Sequence, residues 1–204
     1  MAASVNSYIT NYITNMSLDN QGDEAMYYFA YGSNMDSAQM ESRQKEGPQK
    51  LISIGQWPTE WKKRISSAVL IGRATLKDYK FNFNKQSAAN SSVHFASVSP
   101  SLNSSTEGVL YKLDKKFIKV LDMYEGIESN HYNRELLKVS TSSQSKTTQT
   151  FLAFVYIAHP SKTIPESQQG TPSTEYRSKL IRGAIQAGLS NQTIEALSNW
   201  PTAD

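Results

Sequence analysis

Two short segments of this chain carry residue types suited to chemistry. The first is Phe29-Ala30-Tyr31-Gly32-Ser33-Asn34-Met35, where an aromatic, strand-like run over 26–31 stops in Gly-Ser-Asn and a helix start follows at Asp36. A strand that ends this way and opens a helix leaves backbone N–H groups unpaired, and the helix dipole adds partial positive charge to them. Such a turn binds anions, whether a carboxylate or an oxyanion formed during reaction. Gly32 permits close approach to the backbone, and the Ser33 hydroxyl adds a donor. The second segment is Leu121-Asp122-Met123-Tyr124-Glu125-Gly126, at the end of an amphipathic helix. Glu125 there meets the negative end of the helix dipole, with Asp122 and Glu128 nearby, and both effects raise a carboxyl pKa toward the range of a general base near neutrality. Each segment alone also has a plain structural reading, as ordinary turn chemistry and as a solvated carboxylate.

The elements that must hold these segments can be read around them. Asp36 is a good N-cap with Gln39 three residues on, and Met35 and Met40 sit where a hydrophobic staple closes. Residues 44–63 are charged and broken by Gly47, Pro48, Gly55 and Pro58, which predicts irregular surface tacked down by Trp57 and Trp61. Tyr79, Phe81 and Phe83 alternate with polar residues as a half-buried strand, 95–98 and 108–113 add two short ones, and 86–92 is a polar loop. Asp114 caps a helix whose Phe117, Val120, Leu121 and Tyr124 form one apolar face and which ends near Gly126. Residues 135–139 and 151–158 read as a hairpin. Beyond a loop with Pro160, Pro165 and Gly170, Ser173 caps a helix bearing Leu180, Ile181, Ala184 and Ile185 that closes at Gly188, and Ser190 opens a last short helix with Ile194 and Leu197. Strands fill the middle and helices the ends, so the class is α+β. Residues 1–25, with Tyr8, Ile9, Tyr12 and Ile13, read as a leader that is either a short amphipathic helix or loose chain, and the domain proper covers 26–204.

With 204 residues, 38% hydrophobic and 19% charged, the chain can bury a substantial core. Its net charge of +3 is spread among 18 acidic residues, and Lys62-Lys63-Arg64 reads as a solvated loop, so nucleic acid is not an expected partner. The absence of cysteine excludes disulfides and a thiol nucleophile. His94, His131 and His159 are too scattered for a metal-ligand motif, so neither metal nor cofactor is expected. No apolar run reaches the ~20 residues of a membrane helix and no secretory layout opens the chain, which points to a soluble, cytoplasmic protein without a membrane partner.

Taken together and in this order, the two segments resemble the γ-glutamylcyclotransferase family. Residues 29–35 look like its Tyr-Gly-Ser-Asn signature, and 121–126 look like the segment that holds its catalytic glutamate. The resemblance continues through 79–84, Gly108-Val109-Leu110-Tyr111, Tyr132, 172–176, Gly183-Ala184 and Gly188-Leu189, so that roughly residues 26–200 follow the family's order. It implies a small mixed β-barrel or strongly curved sheet flanked by helices, forming a catalytic domain over 26–204. It also implies an enzyme that cyclises a γ-glutamyl amide to 5-oxoproline and a free amine without cofactor or metal.

On this resemblance Glu125 is the general acid/base, Tyr31, Gly32, Ser33 and Asn34 form the substrate-binding turn, and Tyr132, Tyr156 and Tyr176 stand at the family's pocket tyrosines. The partner is a small γ-glutamyl substrate, with room for a homodimer. A γ-glutamyl amino acid is the first substrate reading, and a γ-glutamylamine or a γ-glutamylated secondary metabolite is the alternative. The leader and residues 49–64 have no family counterpart. Two rival readings remain: a Ser33 hydrolase with a histidine base, disfavoured because Tyr-Gly-Ser-Asn-Met is not a Gly-x-Ser-x-Gly elbow, and a non-catalytic binding module of the same fold, disfavoured by the retained Glu125.

Overall fold

The computed structural model describes residues 26–56, 68–142, 148–165 and 167–204; the leader at 1–25 and the tryptophans Trp57 and Trp61 lie outside them. The aromatic run becomes β1 (Met26–Ala30), which pairs antiparallel with β3 (His94–Leu113). β3 pairs with β2 (Val69–Gln86), β2 with β4 (Tyr132–Ser142), and β4 with β5 (Thr148–Ala158), all antiparallel. A parallel contact of Tyr28 with Phe154 joins β1 to β5 and closes the barrel. Phe29, Phe83, Val98, Val109, Leu110 and Val155 are buried at 1% exposure or less, inside the barrel or between it and the helices. Four helices flank it: α1 (Ser37–Ser53), α2 (Lys115–Glu125), α3 (Thr174–Gln186) and α4 (Asn191–Ser198). This is the α+β architecture that the element order predicts, with the small mixed barrel that the family resemblance implies. No helix among the described residues is long and apolar enough to cross a membrane.

Two expectations need correction. The stretch from residue 44, read as irregular because of Gly47 and Pro48, continues α1 as far as Ser53. Proline costs a helix one hydrogen bond, but here tertiary packing outweighs it: α1 lies so close to α2 that a Cβ at Gly47 would fall 2.1 Å from Val120 Cγ1. The three short strands expected near 79–84, 95–98 and 108–113 are parts of two long ones, β2 and β3. Their middle is a polar ribbon, so no alternation marks it. It carries a register shift where Asp78 and Asn103 take positive φ, and the Asn103 N–H donates to Asp78 Oδ1 at 3.0 Å.

Candidate active site

β1 delivers the turn. After Ala30 the chain passes Tyr31 and Gly32 and winds one 3-10 turn over Ser33–Met35. Asp36, 1% exposed, then caps α1 by accepting the Ala38 N–H at 3.0 Å and pairs with Arg182 of α3. α3 crosses against this backbone closely: a Cβ at Gly183 would stand 2.5 Å from the Asp36 nitrogen. The turn is therefore held by a cap, an ion pair and a helix face at once.

α2 delivers the carboxylate. Asp114 caps its start by accepting the Lys116 N–H at 2.7 Å, and Phe117, Val120 and Leu121 bury its apolar face. Gly126 ends it in the left-handed conformation at φ 64°, where a residue with a side chain is strained, and its N–H returns to the Asp122 and Met123 carbonyls. Glu125, the last helical residue, thus reaches the turn from β1. Asn34 joins the two, its Nδ2 donating to Glu125 Oε1 at 3.1 Å and to the Tyr28 hydroxyl at 2.9 Å.

All the residues singled out from the sequence, the 31–34 turn, Glu125, Tyr132, Tyr156 and Tyr176, line one pocket with Tyr28 and Ala96. It holds about 330 Å³ up to its open mouth. The tyrosines divide by what their hydroxyls do. Tyr31 donates to the Tyr156 carbonyl, Tyr132 to the Ala96 carbonyl at 2.9 Å, and Tyr156 to Asp122 Oδ1 at 2.7 Å, so all three spend their protons on the protein and shape the walls. Tyr176 is different. Its oxygen receives the Ala96 N–H at 3.3 Å and meets Ser33. The Ser33 N–H is consequently turned toward Tyr176 rather than toward open space.

Burial pushes the Glu125 carboxyl up from 4.5 to about 7. Arg43, the Asn34 hydrogen bond and Lys85 oppose that rise, and Asp122 adds to it. Glu125 keeps part of its surface open, but the carboxyl itself is packed among protein atoms, and that packing governs its titration. The direction is the one expected from sequence, while the leading cause is desolvation rather than like charge. Glu128 takes no part: it is exposed and accepts from Gln56 Nε2 at 3.0 Å. Asp122 is held by Arg134 and Tyr156 outside the pocket, and burial raises its own pKa against the pull of Arg134.

Sequence reasoning missed Tyr28, Arg43, Arg134 and Lys85. Arg43 lies 3.5 Å over the Tyr124 ring, close enough to act on Glu125, and no periodicity of α1 points to it. Lys85 continues the alternation of Tyr79, Phe81 and Phe83, a signal that was available. For the hydrolase reading, Ser33 meets Tyr176, and among the described residues no histidine hydrogen-bonds to it: His94 Nδ1 accepts the Thr171 N–H at 3.1 Å and His159 Nδ1 caps a turn at Ser161. Among the described residues no group of three or more His, Asp or Glu could hold a metal ion.

Residues 105–197, which carry Glu125 and the tyrosines at 132, 156 and 176, match the AIG2-like family model. The gamma-glutamylcyclotransferase of Mus musculus is 28% identical over 181 residues, covering 87% of this chain and 79% of that protein; the Homo sapiens enzyme is 26% identical over 179 residues, covering 86% and 78%. A solved gamma-glutamyl cyclotransferase superposes with a TM-score of 0.63 at 23% identity, covering 88% of this chain and 89% of that one, a likeness of fold. The chain is thus similar to the AIG2-like family over residues 105–197 and to the gamma-glutamylcyclotransferases over most of its length.

Proposed function

We propose that this enzyme is a γ-glutamylcyclotransferase that converts a γ-glutamyl amide, in the first instance a γ-glutamyl amino acid, into 5-oxoproline and the free amine. One observation carries the reading: the Glu125 carboxyl, which burial pushes up to about 7 and the Asn34 amide holds at 3.1 Å, shares one pocket with the Tyr31–Asn34 turn.

The chemistry follows from proton accounting. The substrate α-nitrogen enters as an ammonium and leaves as a lactam N–H, while the departing nitrogen enters as an amide N–H and leaves as an ammonium. Two protons must cross, and a carboxyl poised near neutrality can carry them in turn. Glu125 takes the first, the freed amine attacks its own γ-carbonyl carbon, and the carbonyl π electrons move onto oxygen. The Tyr31–Asn34 turn and the Tyr176 hydroxyl stabilise that oxyanion. Collapse breaks the bond to the leaving nitrogen, which takes the proton from Glu125, and the second proton follows the same route. Nucleophile and electrophile belong to one molecule, so proximity supplies much of the rate and the protein need only fold the substrate and move protons.

Glu125→Gln tests this. The amide keeps size and shape but accepts no proton, so turnover should fall ~10²–10⁴-fold in a folded protein with little change in substrate binding. Retention of more than about a tenth of parental turnover would remove Glu125 from the role.

A further inference from the structure

One buried acceptor in the pocket has no donor. Asn34 is 3% exposed, and among the described residues that line the pocket its Oδ1 is the one buried side-chain nitrogen or oxygen without a hydrogen bond. The other end of the carboxamide is fully engaged. Nδ2 donates to the Tyr28 hydroxyl at 2.9 Å and to Glu125 Oε1 at 3.1 Å, while the backbone carbonyl of Asn34 accepts the Tyr111 hydroxyl at 3.2 Å. These contacts fix which end of the amide is free. Turned over, it would set its oxygen against the ionised Glu125 carboxylate, which can only accept. Buried acceptors are ordinarily paired, because losing hydration without gaining a donor is costly, so an unpaired one lining a pocket suits a donor that the ligand brings.

A γ-glutamyl amide carries few donors. Its carboxylate and its γ-carbonyl are acceptors that Oδ1 repels, which leaves the α-ammonium and the N–H of the scissile amide. In the reaction scheme above the α-nitrogen gives its proton to Glu125, so it sits against that carboxylate. The Asn34 amide touches the same carboxylate, and a nitrogen seated there has Oδ1 for a neighbour. An ammonium drawn out of water needs several acceptors in exchange, and Glu125 alone supplies too few. Once Glu125 has taken one proton, the amine still holds two. With one of these kept on Oδ1, the nitrogen lone pair is turned away from that oxygen and is free to approach the γ-carbonyl carbon.

We propose that Asn34 Oδ1 is the second acceptor for the α-ammonium of the substrate, so that a single carboxamide positions the base through Nδ2 and the nucleophile through Oδ1. This inference rests on the cyclotransferase reading above and deepens it.

The test uses the full chain carrying Glu125→Gln, which separates binding from turnover, and compares γ-glutamylalanine with glutarylalanine, which lacks only the α-amine, by calorimetric titration at pH 7. The amine-bearing ligand should bind about ten- to a hundredfold tighter, the range of a hydrogen bond to a charged group. Adding Asn34→Ala should cut that preference by about tenfold or more and change glutarylalanine by less than about threefold. Asn34→Asp, which keeps an oxygen in that place, should retain the preference. Asn34→Leu carries the same test should Asn34→Ala fail to fold. Equal weakening of both ligands is the result expected if Asn34 only shapes the pocket or holds the scissile N–H, and it would overturn the proposal. So would an unchanged preference in Asn34→Ala, or its loss in Asn34→Asp. If the parent forms no 5-oxoproline from γ-glutamylalanine, the cyclotransferase reading fails and takes this one with it; 5-oxoproline release alongside any of those binding results defeats this one alone.

Discussion

A carboxyl raised to about 7 inside the native protein must make that protein less stable as pH rises, and the effect can be sized. Glu125 binds its proton more tightly folded, at about 7, than unfolded, at 4.5. Its contribution is therefore fully present below pH 4.5 and is lost as pH climbs toward and through 7. At ~1.4 kcal/mol per pH unit the whole interval amounts to ~3 kcal/mol, of which ~2.5 falls between pH 5 and pH 8.5. Water at the pocket mouth screens part of this, so ~1–2.5 kcal/mol is the working range. Glu125→Gln removes the titration and keeps the shape. Its stability relative to parent should thus improve by ~1–2.5 kcal/mol on going from pH 5 to pH 8.5, measured by urea unfolding of both proteins at the two pH values. Other titrating groups cancel in the difference. A stability gap between the two proteins that does not change with pH would refute the claim that Glu125 is held near neutrality by burial.

Further outcomes follow from the same geometry. Arg43 is the strongest group opposing the rise at Glu125, so Arg43→Met should move the acid limb of the kcat/KM profile to higher pH, whereas Asp122→Asn should move it slightly lower; a profile unmoved by Arg43→Met would separate that side chain from the site. A Cβ at Gly32 would stand 3.2 Å from the Tyr176 hydroxyl, so Gly32→Val should cost ~10²-fold or more in kcat/KM and Ser33→Ala less than ~10-fold; equal losses in two folded variants would contradict a turn that works through its backbone. Exhaustive chelation should leave turnover unchanged, and recovery of lost activity by a divalent ion would sink the cofactor-free scheme.

Much of the fold was legible because its signals are local. The caps at Asp36, Asp114, Ser173 and Ser190 each accept the backbone N–H that such a residue should take, and the apolar face of Phe117, Val120 and Leu121 is buried as its spacing requires. What escaped depends on contacts made at long range. Gly47 and Pro48 look like breakers until α2 packs on them, and the middle of β3 shows no alternation because it is an exposed ribbon. The candidate site divides in the same way. Glu125 and the 31–34 turn announce themselves by type and position, and the three tyrosines came from family resemblance. The roles of the pocket tyrosines were hidden, since only the folded chain reveals that Tyr31, Tyr132 and Tyr156 give their hydroxyl protons to protein oxygens while the Tyr176 oxygen accepts the Ala96 N–H. Arg43 could not have been found, because its approach to Tyr124 depends on where α1 crosses α2.

The most direct measurement of the central claim is the identity of the glutamyl product. The full chain is incubated with γ-glutamylalanine in water enriched in oxygen-18, and the product is read by mass spectrometry. Intramolecular attack by the α-amine predicts 5-oxoproline that carries no heavy oxygen, formed in step with alanine and abolished by Glu125→Gln. Free glutamate carrying one heavy oxygen would mean that water, directly or through Ser33, attacks the γ-carbonyl, and the cyclotransferase account would be wrong.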